Sequence, residues 1–359
     1  MLQYIFNMLS APEYLNTVYV RCFMAFFVAL ILALAYGDRM IKVLHAHQKK
    51  GQPIREDGPK SHLKTKKGTP TMGGILILGS ALIAILLCAD LANPLVWIAM
   101  MVLVVYGLVG AADDYTKVTK NTANAMSAKM KLFLQFTTAL IAVLVISYEM
   151  PQDTRFVLTF PYFINLSINL LWFYVPFAMV VIAGASNAVN LSDGLDGLAV
   201  GLMIIALPVF MVIAYICGSE LVNDVYMLPV PRAAEVAVTC AAVIGGCVGF
   251  LWFNAAPAKV FMGDTGSLAL GGALAALALL TGTEFLLVLV GGIFVIEALS
   301  VIMQVSYFKL THGKRIFKMS PIHHHFELSG LHEVQVTARF TIISVILALL
   351  GVLYCLGGL

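Results

Sequence analysis

Apolar stretches of about 20 residues, each closed by a short polar segment, recur along the whole chain, and that is the length a helix needs to cross the hydrocarbon core of a bilayer. Ten of them begin near Val20, Met72, Pro94, Met130, Leu170, Leu198, Ala234, Ser267, Phe285 and Thr337. They are continuous and lack the period-two alternation of barrel strands, and a backbone in lipid must satisfy its own polar groups, so they predict helices. The pattern therefore predicts an all-α integral membrane protein with ten transmembrane helices. Composition agrees: the 359 residues are 60% hydrophobic and 11% charged, far below the roughly 25% charged of soluble domains, and mean hydropathy is +0.93. No repeat of 20 to 50 residues and no inverted copy of a segment is present, so residues 1–359 read as a single polytopic domain.

Charge adds the orientation. Of the 22 Lys and Arg residues, 19 fall within 38–71, 113–131, 186–197, 254–267 and 309–339, which predicts that these five loops are cytoplasmic and that both termini are periplasmic in a bacterial inner membrane. The opposite side carries Arg21, Arg155 and Arg232, and its residues 149–168 predict a small hairpin around Pro161. No basic segment precedes the first span, which reads as retained and not as a signal peptide. Six cysteines lie in or beside apolar runs with no Cys-x-x-Cys pair, so they read as packing residues without disulfide or zinc. The bilayer is the partner this composition demands, and no nucleic-acid partner is expected.

The same five loops hold the candidate chemistry. Asp113 and Asp114 end the third span as two adjacent carboxylates, a costly arrangement that calls for a counter-charge. A divalent metal would supply it, and so would Lys117 at helical spacing; both readings stay open. A lysine at that position also argues against the Asp-Asp-x-x-Asp of prenyl-diphosphate enzymes. Lys67 abuts the turn Gly68 to Gly74, whose amides at a helix start predict a phosphate cradle. In the third loop Gly194 and Gly197 are expected to break the helix and gather Asn187, Asn190, Asp193 and Asp196 into one site. A capping Asp-Gly turn would account for only one of those aspartates.

In the fourth loop Asp264 lies between glycines at a helix start, where backbone can approach phosphate or metal-bound phosphate closely. Phe261 is placed to stack on a base or to anchor at the interface. Glu297, near the middle of the ninth span, reads as a packing hydrogen bond, with Gln304 nearer the cytoplasmic end. His323, His324 and His325 would point about 100° apart on a helix, so they cannot all ligate one ion. Phosphate binding, proton transfer and substrate contact are their expected uses.

Together, Gly68-Thr-Pro-Thr-Met-Gly-Gly74, Asp113-Asp114-Tyr115, Asn187 to Gly197, Phe261-Met-Gly-Asp-Thr-Gly-Ser267 and Pro321-Ile-His-His-His-Phe-Glu327 resemble the phospho-N-acetylmuramoyl-pentapeptide transferase family, over the whole chain. That family belongs to the polyprenyl-phosphate N-acetylhexosamine-1-phosphate transferases. The resemblance implies ten helices, outward termini, a homodimer and Mg2+ dependence. It also implies the reaction of UDP-N-acetylmuramoyl-pentapeptide with undecaprenyl phosphate to give lipid I and UMP. By the same resemblance Asp264 with Asp113 or Asp114 would surround the metal, and Lys67, Lys117 and Lys129 would lie near phosphates. Asn187, Asn190, Asp193, Asp196, Asn254, Phe261 and Gln304 would contact nucleoside, diphosphate or sugar, and His323, His324 and His325 would belong to the substrate site. A sister transferase using UDP-N-acetylglucosamine shares the acids and the metal, whereas the His-His-His-Phe-Glu segment and the Gly-Thr-Pro turn look more like the muramoyl enzyme. A transporter using Glu297 as coupling site would line mid-membrane with its acids, and here most acids sit at loop edges.

Overall fold

In the computed structural model, residues 12–48, 66, 68–120, 126–163, 166–224 and 227–356 are described. Each of the ten apolar stretches is helical: α1 (Val18–His47), α2 (Gly74–Cys88), α3 (Pro94–Lys120), α4 (Ala128–Glu149), α5 (Tyr174–Ser192), α6 (Leu198–Cys217), α7 (Val236–Asn254), α8 (Gly263–Leu280), the pair α9 (Glu284–Val290) and α10 (Gly292–Leu310), and α12 (Glu333–Leu356). A short α11 (Ile322–Leu328) precedes the last of them. Among the described residues, nine helical stretches are long and apolar enough to cross a membrane, and α2 is shorter at 15 residues. That makes α2 about 22 Å long, less than the roughly 30 Å hydrocarbon core. The stretch expected from Phe285 is interrupted at Gly291, between α9 and α10.

The bundle is organised around α7 and α8, whose apolar windows are 83% and 94% buried, against 22% for α1 and 28% for α12. Both central helices are rich in Gly and Ala, and small residues let helix backbones approach where lipid gives no hydrophobic drive for association. The approach is tightest where it matters for chemistry. A Cβ on Gly110 would lie 2.1 Å from the Asp264 carbonyl oxygen, and one on Gly74 would lie 2.2 Å from the Gly266 nitrogen. Any larger side chain at either position would push α2 or α3 away from the start of α8.

At one end of the bundle, β1 (Val157–Thr159) pairs antiparallel with β2 (Ser167–Asn169), Leu158 opposite Ile168, which is the hairpin expected around Pro161. At that end buried Arg21 of α1 also forms a two-pronged ion pair with buried Glu235, one arm at 2.8 Å, and donates to the Cys88 carbonyl at 3.3 Å. The six cysteines are free. Described residues of each of the loops expected to carry chemistry meet at the opposite end. Pro70 and Phe261, Lys66 and Asp196, Asp113 and Lys131, and Glu297 and His323 are each in contact there across long stretches of sequence.

Candidate active site

The two carboxylates that end α3 have different tasks. Asp114 is 1% exposed. Its carboxylate accepts from the amide and hydroxyl of Thr265 at 2.9 and 2.8 Å and from the Asp264 amide at 3.2 Å. It therefore caps the amino end of α8, where unpaired amides and the helix dipole favour an anion. Gly263, at φ +74, makes room: a Cβ there would lie 2.5 Å from Asp114 Oδ2. Asp113 faces the other way. Its carboxylate accepts from the Met126 amide at 2.9 Å and pairs with Lys117 at 2.9 Å and Lys131 at 3.5 Å.

The same two ammonium groups pair with Asp264, Lys131 at 2.5 Å and Lys117 at 3.1 Å, while Asn190 Nδ2 donates to its other oxygen at 2.8 Å. Asp113 and Asp264 thus present oxygens to one place, with two cations shared between them. Among the described residues no group of three or more His, Cys, Asp or Glu is arranged to hold a metal. Two carboxylates suffice for magnesium, which keeps waters and takes substrate oxygens. The donor set fits such an ion, since both acids already attract cations to one point.

Helix α5 ends at Ser192, and the turn that follows carries Asp193 and Asp196 in different directions. Asp193, half-buried, has its carboxyl pushed up to about 7, first by burial and then by the charges of Asp264 and Asp114. A cation bound nearby would draw it back down. Asp196 belongs to a second cluster. Lys66 Nζ lies 3.0 Å from its carboxylate, 2.6 Å from that of Glu333 and 3.2 Å from the Gly194 carbonyl. Ala258 donates its amide to Asp196 at 2.9 Å. Phe261, half-buried, lies with its ring centroid 5.8 Å from Lys66 Nζ, so a cation and an aromatic face border the same turn.

Residues 96–282 match the family model for Glycosyl transferase family 4. Residues 66–78, which hold Lys66 and the Gly-Thr-Pro turn, match signature 1 of phospho-N-acetylmuramoyl-pentapeptide-transferase. Over 349 residues the chain is 51% identical to the phospho-N-acetylmuramoyl-pentapeptide-transferase of Caulobacter vibrioides, covering 96% of this chain and 94% of that relative. The chain belongs to the phospho-N-acetylmuramoyl-pentapeptide transferase family. Transferases of the same name from Dinoroseobacter shibae and Rickettsia felis are 52% and 49% identical over 328 and 332 residues. Those matches cover 91% and 92% of this chain and 91% of each relative.

Several expected site residues of this transferase-family chain are engaged with other protein groups in this structure. Lys129 is exposed on the first turn of α4, and Lys131 reaches the acids in its place. Two residues along a helix are about 200° apart, so only one of the two lysines can face inward. Asn187 donates to Gln135 at 3.0 Å and to the Ala183 carbonyl at 2.7 Å, which engages its amide nitrogen with α4 and with the preceding turn of α5. Four amides of the Gly68 to Gly74 turn, expected to cradle phosphate, are paired within the protein. Its Thr69, Thr71, Gly73 and Gly74 amides donate to Lys66, Gln48, Phe261 and Met262, because a buried turn must satisfy its own amides. Lys67 lies outside the described residues.

Asn254 bridges the Gly197 amide and the Val260 carbonyl, so it joins two loops. Gln304 accepts from the Ile316 and Phe317 amides at 3.0 Å and donates to the Phe317 carbonyl at 3.1 Å, which commits both ends of its amide to backbone. The histidines have separate partners, as consecutive positions on a helix require: His323 with Glu297 at 3.0 Å, His324 with Glu327 at 2.8 Å, and His325 with the Lys318 amide at 3.1 Å. Sequence reasoning missed Lys131, Lys66 and Glu333. The first two were hidden among neighbouring lysines, and nothing local distinguishes them.

Proposed function

We infer that this protein transfers phospho-N-acetylmuramoyl-pentapeptide from UDP-N-acetylmuramoyl-pentapeptide to undecaprenyl phosphate, giving lipid I and UMP, the first membrane step of peptidoglycan synthesis. The observation that carries this reading is the Asp113, Asp264, Lys117 and Lys131 cluster at the ends of apolar helices. A soluble nucleotide sugar and a lipid-bound phosphate can meet only at such a boundary. Phosphoryl transfer between two anions needs cations in fixed positions to spread the developing charge. An oxygen of the lipid phosphate forms the new bond to the sugar-linked phosphorus, and the bridging oxygen leaves with UMP and takes the electron pair.

Within that scheme Asp264 and Asp113 hold Mg2+, which when bound would polarise the phosphoryl oxygens. Lys117 and Lys131 follow the diphosphate, and Asp113 also orients or deprotonates the lipid phosphate. Asp114 keeps the amino end of α8 in place. Asn190 fixes the Asp264 carboxylate, and Asp193, Asp196 and Phe261 border the nucleotide sugar. The site faces the cytoplasm of a bacterial inner membrane, both termini are periplasmic, ten helices span, and the protein is a homodimer. Purified protein with magnesium, polyprenyl phosphate and the muramoyl nucleotide is expected to release UMP. Release with UDP-N-acetylglucosamine and not with the muramoyl nucleotide would assign the sister activity instead.

Two further results follow from this placement. Cysteines replacing Lys120 or Lys314 are expected to be shielded from impermeant reagents in intact cells, whereas one at Thr154 should react. Labelling of Lys120→Cys from outside would reverse the orientation and remove the cytoplasmic site with it. Phe261→Ala is expected to weaken nucleotide binding by about 1 to 3 kcal/mol, the scale of a lost aromatic stack on a base. Polyprenyl phosphate affinity should hardly change, and unchanged nucleotide affinity in calorimetry would return Phe261 to the role of an interfacial anchor.

A further inference from the structure

Glu297 and His323 form a pair that the reaction as derived does not use. Both are 0% exposed, His323 Nδ1 lies 3.0 Å from Glu297 Oε2, and each keeps one buried atom, Glu297 Oε1 and His323 Nε2, with no hydrogen-bond partner among the described residues. A carboxylate only accepts, so Nδ1 carries a proton in this pair, whatever the state of Nε2. That nitrogen is aimed at the turn after α5. A Cβ on Gly194 would lie 2.4 Å from Nε2, and its two next-nearest neighbours would be further imidazole atoms. Buried polar atoms left unsatisfied are uncommon and costly, and they persist where a fixed geometry is needed.

We propose that Glu297 is a positioning residue: by holding His323 through Nδ1 it sets the imidazole against Gly194, and so fixes the turn whose Asp193 and Asp196 receive the nucleotide sugar. The proposal rests on the reading of that turn as part of the nucleotide-sugar site. It moves His323 from the substrate site to a supporting place, since a side chain with no exposed surface beneath Gly194 acts through the turn. It also moves Glu297 out of the role of a transporter's coupling acid. A coupling acid must meet water or ion, and this carboxylate has no exposed surface and lies against His323.

Glu297→Leu, which removes the acceptor while keeping bulk, is expected to raise KM for the muramoyl nucleotide about tenfold or more, as for a lost buried charge-assisted hydrogen bond. KM for polyprenyl phosphate should stay within about twofold, since no phosphate-facing group of the acid cluster is altered. Glu297→Gln keeps a carbonyl acceptor and should recover most of the loss. With 15N-labelled histidine, the His323 signal, identified by its absence in His323→Ala, should report Nδ1–H in the wild type and in Glu297→Gln, and a mixture of tautomers in Glu297→Leu. In a His323→Ala background Glu297→Leu should add nothing further. Should Glu297→Leu not fold, Gly194→Ala decides the matter, because the three atoms nearest its new methyl all belong to the imidazole. It should raise the same KM, and His323→Ala should remove that added cost.

An unchanged tautomer, equal rises in both KM values, or additive effects of the two substitutions would overturn the proposal. Asp193→Asn and Asp196→Asn serve as the separate check. If they leave the nucleotide KM unchanged, the reading of the turn as a nucleotide-sugar site fails. If they raise it and neither Glu297→Leu nor Gly194→Ala does, the positioning role fails alone.

Discussion

Asp264→Asn is expected to lower turnover at least about 10³-fold, the upper range for losing one preorganised electrostatic group. Asp264 receives both shared lysines and the Asn190 amide, so the loss of its charge removes the point on which the cations converge. The substitution cannot tell whether a carboxylate attacks phosphorus or only holds metal, and a partial reaction can. A covalent phosphosugar-enzyme intermediate would let labelled UMP exchange into the muramoyl nucleotide in the absence of lipid phosphate. Direct attack would not. Direct attack is the expected result, because Asp264 is held by three donors and Asp114 by three more, which suits fixed ligands and caps and not a free nucleophile. Lipid-free exchange at a rate near turnover, in protein stripped of copurified lipid, would show that a carboxylate on the protein is the nucleophile.

Lys131→Ala is expected to reduce kcat about 10² to 10³-fold, and Lys129→Ala to leave it within about twofold. The sequence offers both lysines at the start of α4, and only Lys131 reaches Asp264 and Asp113. Loss of Lys131 also leaves buried Asp113 and half-buried Asp264 with one fewer counter-charge, so Mg2+ affinity measured in the absence of substrate should rise while turnover falls. Steady-state kinetics of the two variants with a Mn2+ titration followed by electron paramagnetic resonance tests both parts. Equal losses in the two variants would mean that the amino end of α4 sits in another register.

The Lys129 and Lys131 pair illustrates what a linear reading lacks. Both carry the same charge beside the same span, and the difference between them is the rotation of α4 about its axis, which is set by packing against α3 and α5. The same holds for Asp113 and Asp114, neighbours that the sequence treats alike. Their directions diverge because Gly110 lets α3 approach the start of α8 until one carboxylate meets its free amides. Glu333 could not be connected with Lys66 and Asp196 by any local signal, since the contact closes a loop of 267 residues from Lys66.

The sequence by itself determined the membrane class, the ten helical stretches, the small hairpin and the five polar loops, because the length and continuity of an apolar run are local properties that lipid reads directly. It also held the motifs that carry the family, since those are contiguous. Tertiary structure alone decided which acid caps α8 and which faces the shared lysines, which of two lysines reaches them, and that Glu297 holds His323 beneath Gly194. Those outcomes depend on helix rotation and on backbone approach through glycine and alanine. Both are set by the whole bundle and leave no trace in the spacing of residues along one helix.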